Sequence, residues 1–171
     1  YQHISLMTNR PPRKPISPTA ALNKAAALCA RSEQASGDIY AKLTGWGLTT
    51  EEADGVMKQL ISENYLNDER YARAYCRDKM RFNGWGRIKV AFMLKSKGIG
   101  KSHIEAVLAE VNEEEYIATL RRLLQAKWRD VRGKEPMQAR ASMMRFAASR
   151  GFEPNVFYPV IDEVMGGDSD T

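Results

Sequence analysis

Residues 90–111 read VAFMLKSKGIGKSHIEAVLAEV, and one glycine, Gly98 between Lys97 and Ile99, organises the stretch. Val90 and Leu94 stand eight and four residues before it, and Ile104, Val107, Leu108 and Val111 stand six, nine, ten and thirteen after it. Apolar residues three and four apart form one face of a helix. The stretch therefore predicts two amphipathic helices joined at a glycine that ends the first with positive φ.

Working outward, the pattern occurs twice more, at Trp46-Gly47-Leu48 and Arg150-Gly151-Phe152, spaced 51 and 53 residues from Gly98. The matching positions before the glycines are Ile39 and Leu43, and Met143 and Ala147. Those after them are Ala53, Val56, Met57 and Leu60, and Phe157, Val160, Ile161 and Val164. Upstream of each glycine a further helix is expected, through Leu22–Cys29, Tyr71–Tyr75 and Ile117–Leu124. A unit of about 45–50 residues buries its own stripe poorly and stacks on its neighbours. The fold class expected is all-α: an elongated array of three tandem three-helix repeats, over residues 19–62, 63–112 and 113–165.

Local signals agree. Thr49-Thr50-Glu51-Glu52 has the hydroxyl and the glutamate of a capping box ahead of a helix over 51–63. Asn67 or Asp68 caps a helix over 69–81, and Asn112 with Glu113, Glu114 and Glu115 opens one over 114–127. Residues 1–18 hold four of the seven prolines and no apolar period, and read as a basic extended arm. Residues 166–171 form an acidic tail.

The 171 residues are 43% hydrophobic and 27% charged, with a mean hydropathy of −0.49, and no run reaches the length of a membrane span. A cytoplasmic monomer with no membrane partner is expected. Cys29, Cys76, His3 and His103 lack ligand spacing, so neither a disulfide framework nor a metal site is expected. Cys76 reads as a small packed residue, with flanking bases that would lower its pKa.

Catalytic motifs fail one by one. Gly98-Ile99-Gly100-Lys101-Ser102 ends like a phosphate loop, but Lys95 stands where that motif needs its first glycine, and no strand precedes it. Gly84-Trp85-Gly86 lacks the third glycine of a dinucleotide fingerprint. Asp68-Glu69 serves a helix start rather than acid–base chemistry, and His103 has no nucleophile or carboxylate at a useful spacing. No catalytic residue and no cofactor are expected.

Charge is the informative quantity. The formal net charge of +5 hides a block of +9 over 70–101 and one of +7 over 121–150, with −4 over 33–66. Arg70, Arg73, Arg77 and Arg81 are spaced three, four and four, which puts them on one helical face, with Tyr71, Ala74, Tyr75 and Met80 mostly opposite. The ridge continues through Gly84-Trp85-Gly86, whose glycines are expected to expose backbone, to Arg87, Lys89, Lys95, Lys97 and Lys101. Arg121 and Arg122 begin a second basic surface. Such a surface tracks a polyanion or docks in an acidic groove; the plainer alternative is a solvated helix face. Trp46, Trp85 and Trp128 read first as packing between units and second as base-stacking platforms.

Asn67-Asp68-Glu69-Arg70-Tyr71-Ala72, Gly84-Trp85-Gly86-Arg87-Ile88 and Leu94-Lys95-Ser96-Lys97-Gly98-Ile99 together resemble the signature of the RecX family of bacterial recombinase regulators, over roughly residues 20–165. The resemblance implies three tandem three-helix repeats that bind the RecA filament on single-stranded DNA, with double-stranded DNA as a further partner. It also implies restraint of filament growth or promotion of filament loss, and hence inhibition of ATPase, recombinase and co-protease activities. Trp46-Gly47-Leu48 departs from the more usual basic and aromatic neighbours of the first glycine. A helical DNA-binding regulator, sequence-specific or not, is the alternative; Glu51, Glu52 and Asp54 on the first unit's last helix weigh against it.

Overall fold

The computed structural model describes residues 15–167; residues 1–14 of the basic arm and 168–171 of the acidic tail lie outside them. Among the described residues every regular element is helical: α1 (Pro18–Arg31), α2 (Ser36–Gly45), α3 (Thr50–Ser62), α4 (Asp68–Phe82), α5 (Arg87–Ser96), α6 (Lys101–Ala109), α7 (Glu113–Val131), α8 (Pro136–Ser149) and α9 (Pro154–Gly166). Every substantial helix–helix contact falls within one of three trios, α1–α3, α4–α6 and α7–α9. The helical repeats read from the sequence are present.

The starts of α3 and α7 follow the expected chemistry. Thr49 Oγ1 accepts the Glu52 amide at 3.2 Å while Glu52 Oε1 accepts the Thr49 amide at 3.0 Å, a complete capping box. Asn112 Oδ1 accepts the Glu115 amide at 3.0 Å, and three glutamates occupy the first turn of α7, where the helix dipole favours them.

The three glycine turns are built alike. Gly47, Gly98 and Gly151 have φ of +95°, +81° and +89°. Each glycine amide donates to Thr44, Lys95 or Ala148 at 3.0 Å. The following amide, of Leu48, Ile99 or Phe152, donates to Leu43, Leu94 or Ala147 at 3.2, 3.1 and 3.1 Å. This is the Schellman ending, which satisfies the last helical carbonyls and puts two apolar side chains in contact across the turn. All six of those side chains are buried.

The chain divides into two compact units between Asn67 and Asp68. The first, α1–α3, packs Ile39, Leu43 and Leu60 against the alanine face of α1, Ala21 and Ala25. Trp46 lies partly buried against this same core, with Lys24 Nζ 4.4 Å from its ring centroid. Ahead of α1, Pro15 crosses the first glycine turn: a Cβ on Gly47 would lie 2.8 Å from Pro15 Cβ, and the Ile16 amide donates to Trp46 O at 3.4 Å.

The second unit joins two trios, α4–α6 and α7–α9, through bare backbone. The Gly86 amide donates to Arg150 O at 2.7 Å and the Ile88 amide to Gly151 O at 3.0 Å. A Cβ on Gly86 would lie 2.3 Å from Gly151 O, and one on Gly151 would lie 2.3 Å from Lys89 Cβ and 2.5 Å from Lys89 N. The expectation that Gly84 and Gly86 expose backbone is therefore corrected: both are buried, Gly84 against Leu123 and Gly86 against the α8–α9 turn. A ring of polar contacts closes over the junction. Arg87 Nη1 donates to Glu153 Oε2 at 2.6 Å, Nη2 pairs with Glu113, and the guanidinium stacks 4.1 Å from the Tyr116 ring centroid. The Arg87 amide donates to Tyr116 Oη at 3.0 Å, and Tyr116 in turn donates to Glu153. Burial, then the bond to Glu153, holds the Tyr116 hydroxyl well above its ordinary pKa, so it remains a neutral donor.

Two outcomes follow for chemical denaturation. Gly151→Ala combines a clash with Lys89 and a strained φ, and is expected to cost the second unit about 3–5 kcal/mol, whereas Gly98→Ala meets open space and costs about 1–2 kcal/mol for φ alone. Equal losses would refute the close-packing account. Arg87→Ala leaves Glu153 half-enclosed without its cation and should cost about 3 kcal/mol, against about 1–2 kcal/mol for Tyr116→Phe.

Candidate functional site

A cleft of about 770 Å³ opens within the second unit. Arg73, Arg77 and Arg81 line one side of it from α4, and Glu110 and Glu115 face them from the end of α6 and the start of α7; Met80, Val111 and Phe152 contribute apolar surface. The helical spacing read from the sequence thus brings three of the four ridge arginines to one site. Arg70, one turn earlier on the same face, is partly buried and does not line the cleft. Met80, expected on the opposite face, shares the cleft with the arginines.

The three arginines differ in how far the fold already uses them. Arg73 is held in a fork by Glu110, Nε to Oε2 at 2.8 Å and Nη2 to Oε1 at 2.9 Å, with Glu69 at 3.5 Å. The bond to Arg73 holds the Glu110 carboxyl below its ordinary pKa, and the guanidinium is raised in return. Arg77 has only a loose pair with its neighbour Asp78, 3.8 Å apart and well exposed on both sides. Arg81 is exposed and stands 5.7 Å from the Phe82 ring centroid. Arg77 and Arg81 therefore carry charge that a partner can engage.

An aromatic–lysine cluster adjoins the cleft, which Trp85 also lines. Successive helical residues are offset by about 100°, which sets Tyr75 and Lys79 roughly opposite Arg73 and Arg77. Trp85 meets Tyr75 edge-on at 6.4 Å between centroids, with Lys89 Nζ 4.6 Å and Lys79 Nζ 5.0 Å from its ring. Burial raises the Tyr75 hydroxyl above its ordinary pKa, with Lys97 opposing that shift. Lys79 was not singled out from the sequence; its spacing of four from Tyr75 was the available signal. Trp128 lies partly buried on the second unit's core.

The remaining sequence candidates separate clearly. Arg87 is enclosed in the junction described above rather than turned to solvent. Arg121 is paired with Glu163, Nε to Oε2 at 2.5 Å and Nη2 to Oε1 at 3.3 Å, and this bond lowers the Glu163 carboxyl pKa. Arg122 and Lys95 are exposed, and Lys101 makes an exposed pair with Glu105 at 3.6 Å. Cys76, on the cleft wall, is corrected: burial pushes its thiol up to about 11, with Glu110 adding to the shift, against the lowering expected from flanking bases. At neutral pH it is an uncharged packed thiol. Among the described residues no group of three His, Cys, Asp or Glu side chains is placed to hold a metal ion, and no helix is long and apolar enough to cross a membrane.

With this geometry in hand, comparison with known proteins is specific. Residues 67–108 match the family model for the second three-helix domain of RecX, and residues 113–161 match that for the third. The regulatory protein RecX of Chromobacterium violaceum is 26% identical over 149 residues, covering 86% of this chain and 90% of the relative. That of Vibrio campbellii is 26% identical over 137 residues, covering 80% and 86%. That of Lactobacillus johnsonii is 24% identical over 127 residues, 74% of this chain; the chain spans 47% of its length, and about half of several other relatives. The crystal structure of RecX from Lactobacillus salivarius superposes with a TM-score of 0.80 at 17% identity, covering 86% of this chain and 96% of that one. A second RecX crystal structure gives 0.78 at 21% identity, covering 85% and 71%. At those identities the structures bear on the fold alone. The two matched domains take up more than half of the chain, and on that ground the chain belongs to the RecX family.

Proposed function

We propose that this chain is a non-enzymatic regulator that binds the RecA nucleoprotein filament in the cytoplasm, as a monomer, and restrains filament extension or promotes disassembly. Inhibition of recombinase, ATPase and co-protease activities would follow from that restraint. The observation that carries the reading is the cleft of the second unit, where Arg77 and Arg81 stand with no firm carboxylate beside Arg73, which Glu110 already holds. An exposed guanidinium pair beside apolar surface meets acidic protein with charge complementarity. The lysines around Trp85 suit the phosphates of the single-stranded DNA that the filament encloses, with duplex DNA a weaker match. Lys89 stands with Lys79 at the Trp85 ring, and Lys95, Lys101 and Arg122 are further exposed cations of the second unit. Arg73, Arg87 and Arg121 are held by carboxylates of the fold.

Single-stranded-DNA-dependent ATP hydrolysis by a preformed RecA filament should fall as this protein is added at substoichiometric amounts, and less so at higher salt. The double variant Arg77→Glu/Arg81→Glu should keep its helix content and raise the half-inhibitory concentration by at least about tenfold. Unchanged inhibition by the folded variant would remove the cleft from the interface. Absent inhibition by the unmodified chain, together with a sequence-dependent footprint on duplex DNA, would favour a DNA-binding regulator instead.

A further inference from the structure

Two of the three glycine turns are covered in the same manner, and one is open. At the first, Pro15 lies over Gly47, and the Ile16 amide donates to the carbonyl of Trp46, the residue before the glycine. At the third, Gly86 lies against Gly151, and its amide donates to the carbonyl of Arg150, again the residue before the glycine. Both covering segments are extended and lead straight into a helix: Ser17, the N-cap of α1, has φ −65° and ψ 153°, and Gly86, the N-cap of α5, has φ −87° and ψ 171°. Both lay backbone against the turn: Pro15 Cα and Cβ over Gly47 in one case, and in the other Gly86 against the Gly151 carbonyl with Lys89 N, Cα and Cβ over Gly151.

The second turn has the same Schellman geometry, with Gly98 at φ +81°, yet among the described residues a Cβ built on Gly98 meets no atom within 4 Å, and the residue is exposed. Lys95, Lys97 and Lys101 surround it in sequence, Lys101 in an exposed pair with Glu105 at 3.6 Å, and no acidic residue occurs from 79 to 104. An occupant that repeats the two internal examples brings an amide donor and closely packed backbone. To suit this turn it also brings negative charge. A sugar–phosphate backbone has the charge but no amide, which favours polypeptide.

The geometry points to the Gly98 turn as a docking site for an extended, acidic segment of the partner protein, whose backbone lies over Gly98 and whose carboxylates meet Lys95 and Lys101. This rests on the filament reading above and identifies which part of the chain receives RecA polypeptide rather than DNA. It is separate from the arginine cleft, so the two surfaces can be tested apart.

The test uses the full chain and a RecA filament assembled on oligo(dT). A photo-cross-linking residue, benzoylphenylalanine, replaces the exposed Ser96, and filament affinity is measured for Gly98→Asn and for Lys95→Glu/Lys101→Glu. Asparagine tolerates positive φ better than other side chains but fills the open space. Capture of a RecA peptide rich in carboxylates, and a loss of about tenfold in affinity for a folded Gly98→Asn, would support the site. Should Gly98→Asn unfold, the charge-reversed pair, which leaves the turn intact, decides by the same criterion. Full affinity in folded variants, or cross-links to the oligonucleotide or to a second copy of this chain, would overturn it while leaving the filament reading standing. Failure of the unmodified chain to bind the filament would overturn both.

Discussion

The second unit depends on two backbones touching where neither has a side chain. Gly86 and Gly151 come close enough for amide-to-carbonyl bonds of 2.7 and 3.0 Å across the junction, an approach that any Cβ would block. Because that contact joins the turn before α5 to the turn before α9, the start of α7 is brought beside α4. Tyr116 then stands where it accepts the Arg87 amide and reaches Glu153. The cleft that carries Arg77 and Arg81 exists because these pieces are held: Tyr116 and Phe152, both committed to the junction, also line it.

The same constraint sorts the positive charge. A basic block in a sequence says nothing about which cations the fold consumes. Here Arg73, Arg87 and Arg121 each meet a carboxylate 37 or more residues distant, from Glu110, Glu153 and Glu163. Arg87 is the enclosed case, where removing one partner strands the other charge in a poorly solvated place. Arg73 and Arg121 pair at the surface, where water and salt weaken the attraction and a partner's carboxylate can exchange with the resident one. Arg77 and Arg81 at the cleft, and Lys79 and Lys89 near Trp85, meet no such distant carboxylate among the described residues.

Internal symmetry adds information that a single repeat would not carry. Three glycine turns of one geometry, two covered by extended chain and one open, make the molecule its own control. The covered turns show what such a turn accepts, namely an amide donor and closely packed backbone, and the open one shows where a similar segment would fit. The basic neighbours of Gly98 then narrow the class of segment by charge.

Much of this was legible in the sequence because it is local. Apolar residues at three- and four-residue intervals fix helix faces, Thr49 with Glu52 fixes a helix start, and an apolar residue after a glycine fixes a Schellman stop, since each involves only near neighbours along the chain. The all-helical repeats and the shared face of Arg73, Arg77 and Arg81 followed from those intervals alone. The expected exposure of Gly84 and Gly86, the outward Arg87 and the lowered pKa of Cys76 went the other way, for one reason. Each was judged from its sequence neighbours, whereas burial and pairing are set by residues some 30 to 70 positions away, such as Glu110, Tyr116, Gly151 and Glu153. The sequence by itself determined which residues form helices and which charges share a face. Only the tertiary structure decided which of those charges are neutralised inside the fold and which are presented, because that depends on where distant carboxylates and bare glycines come to rest.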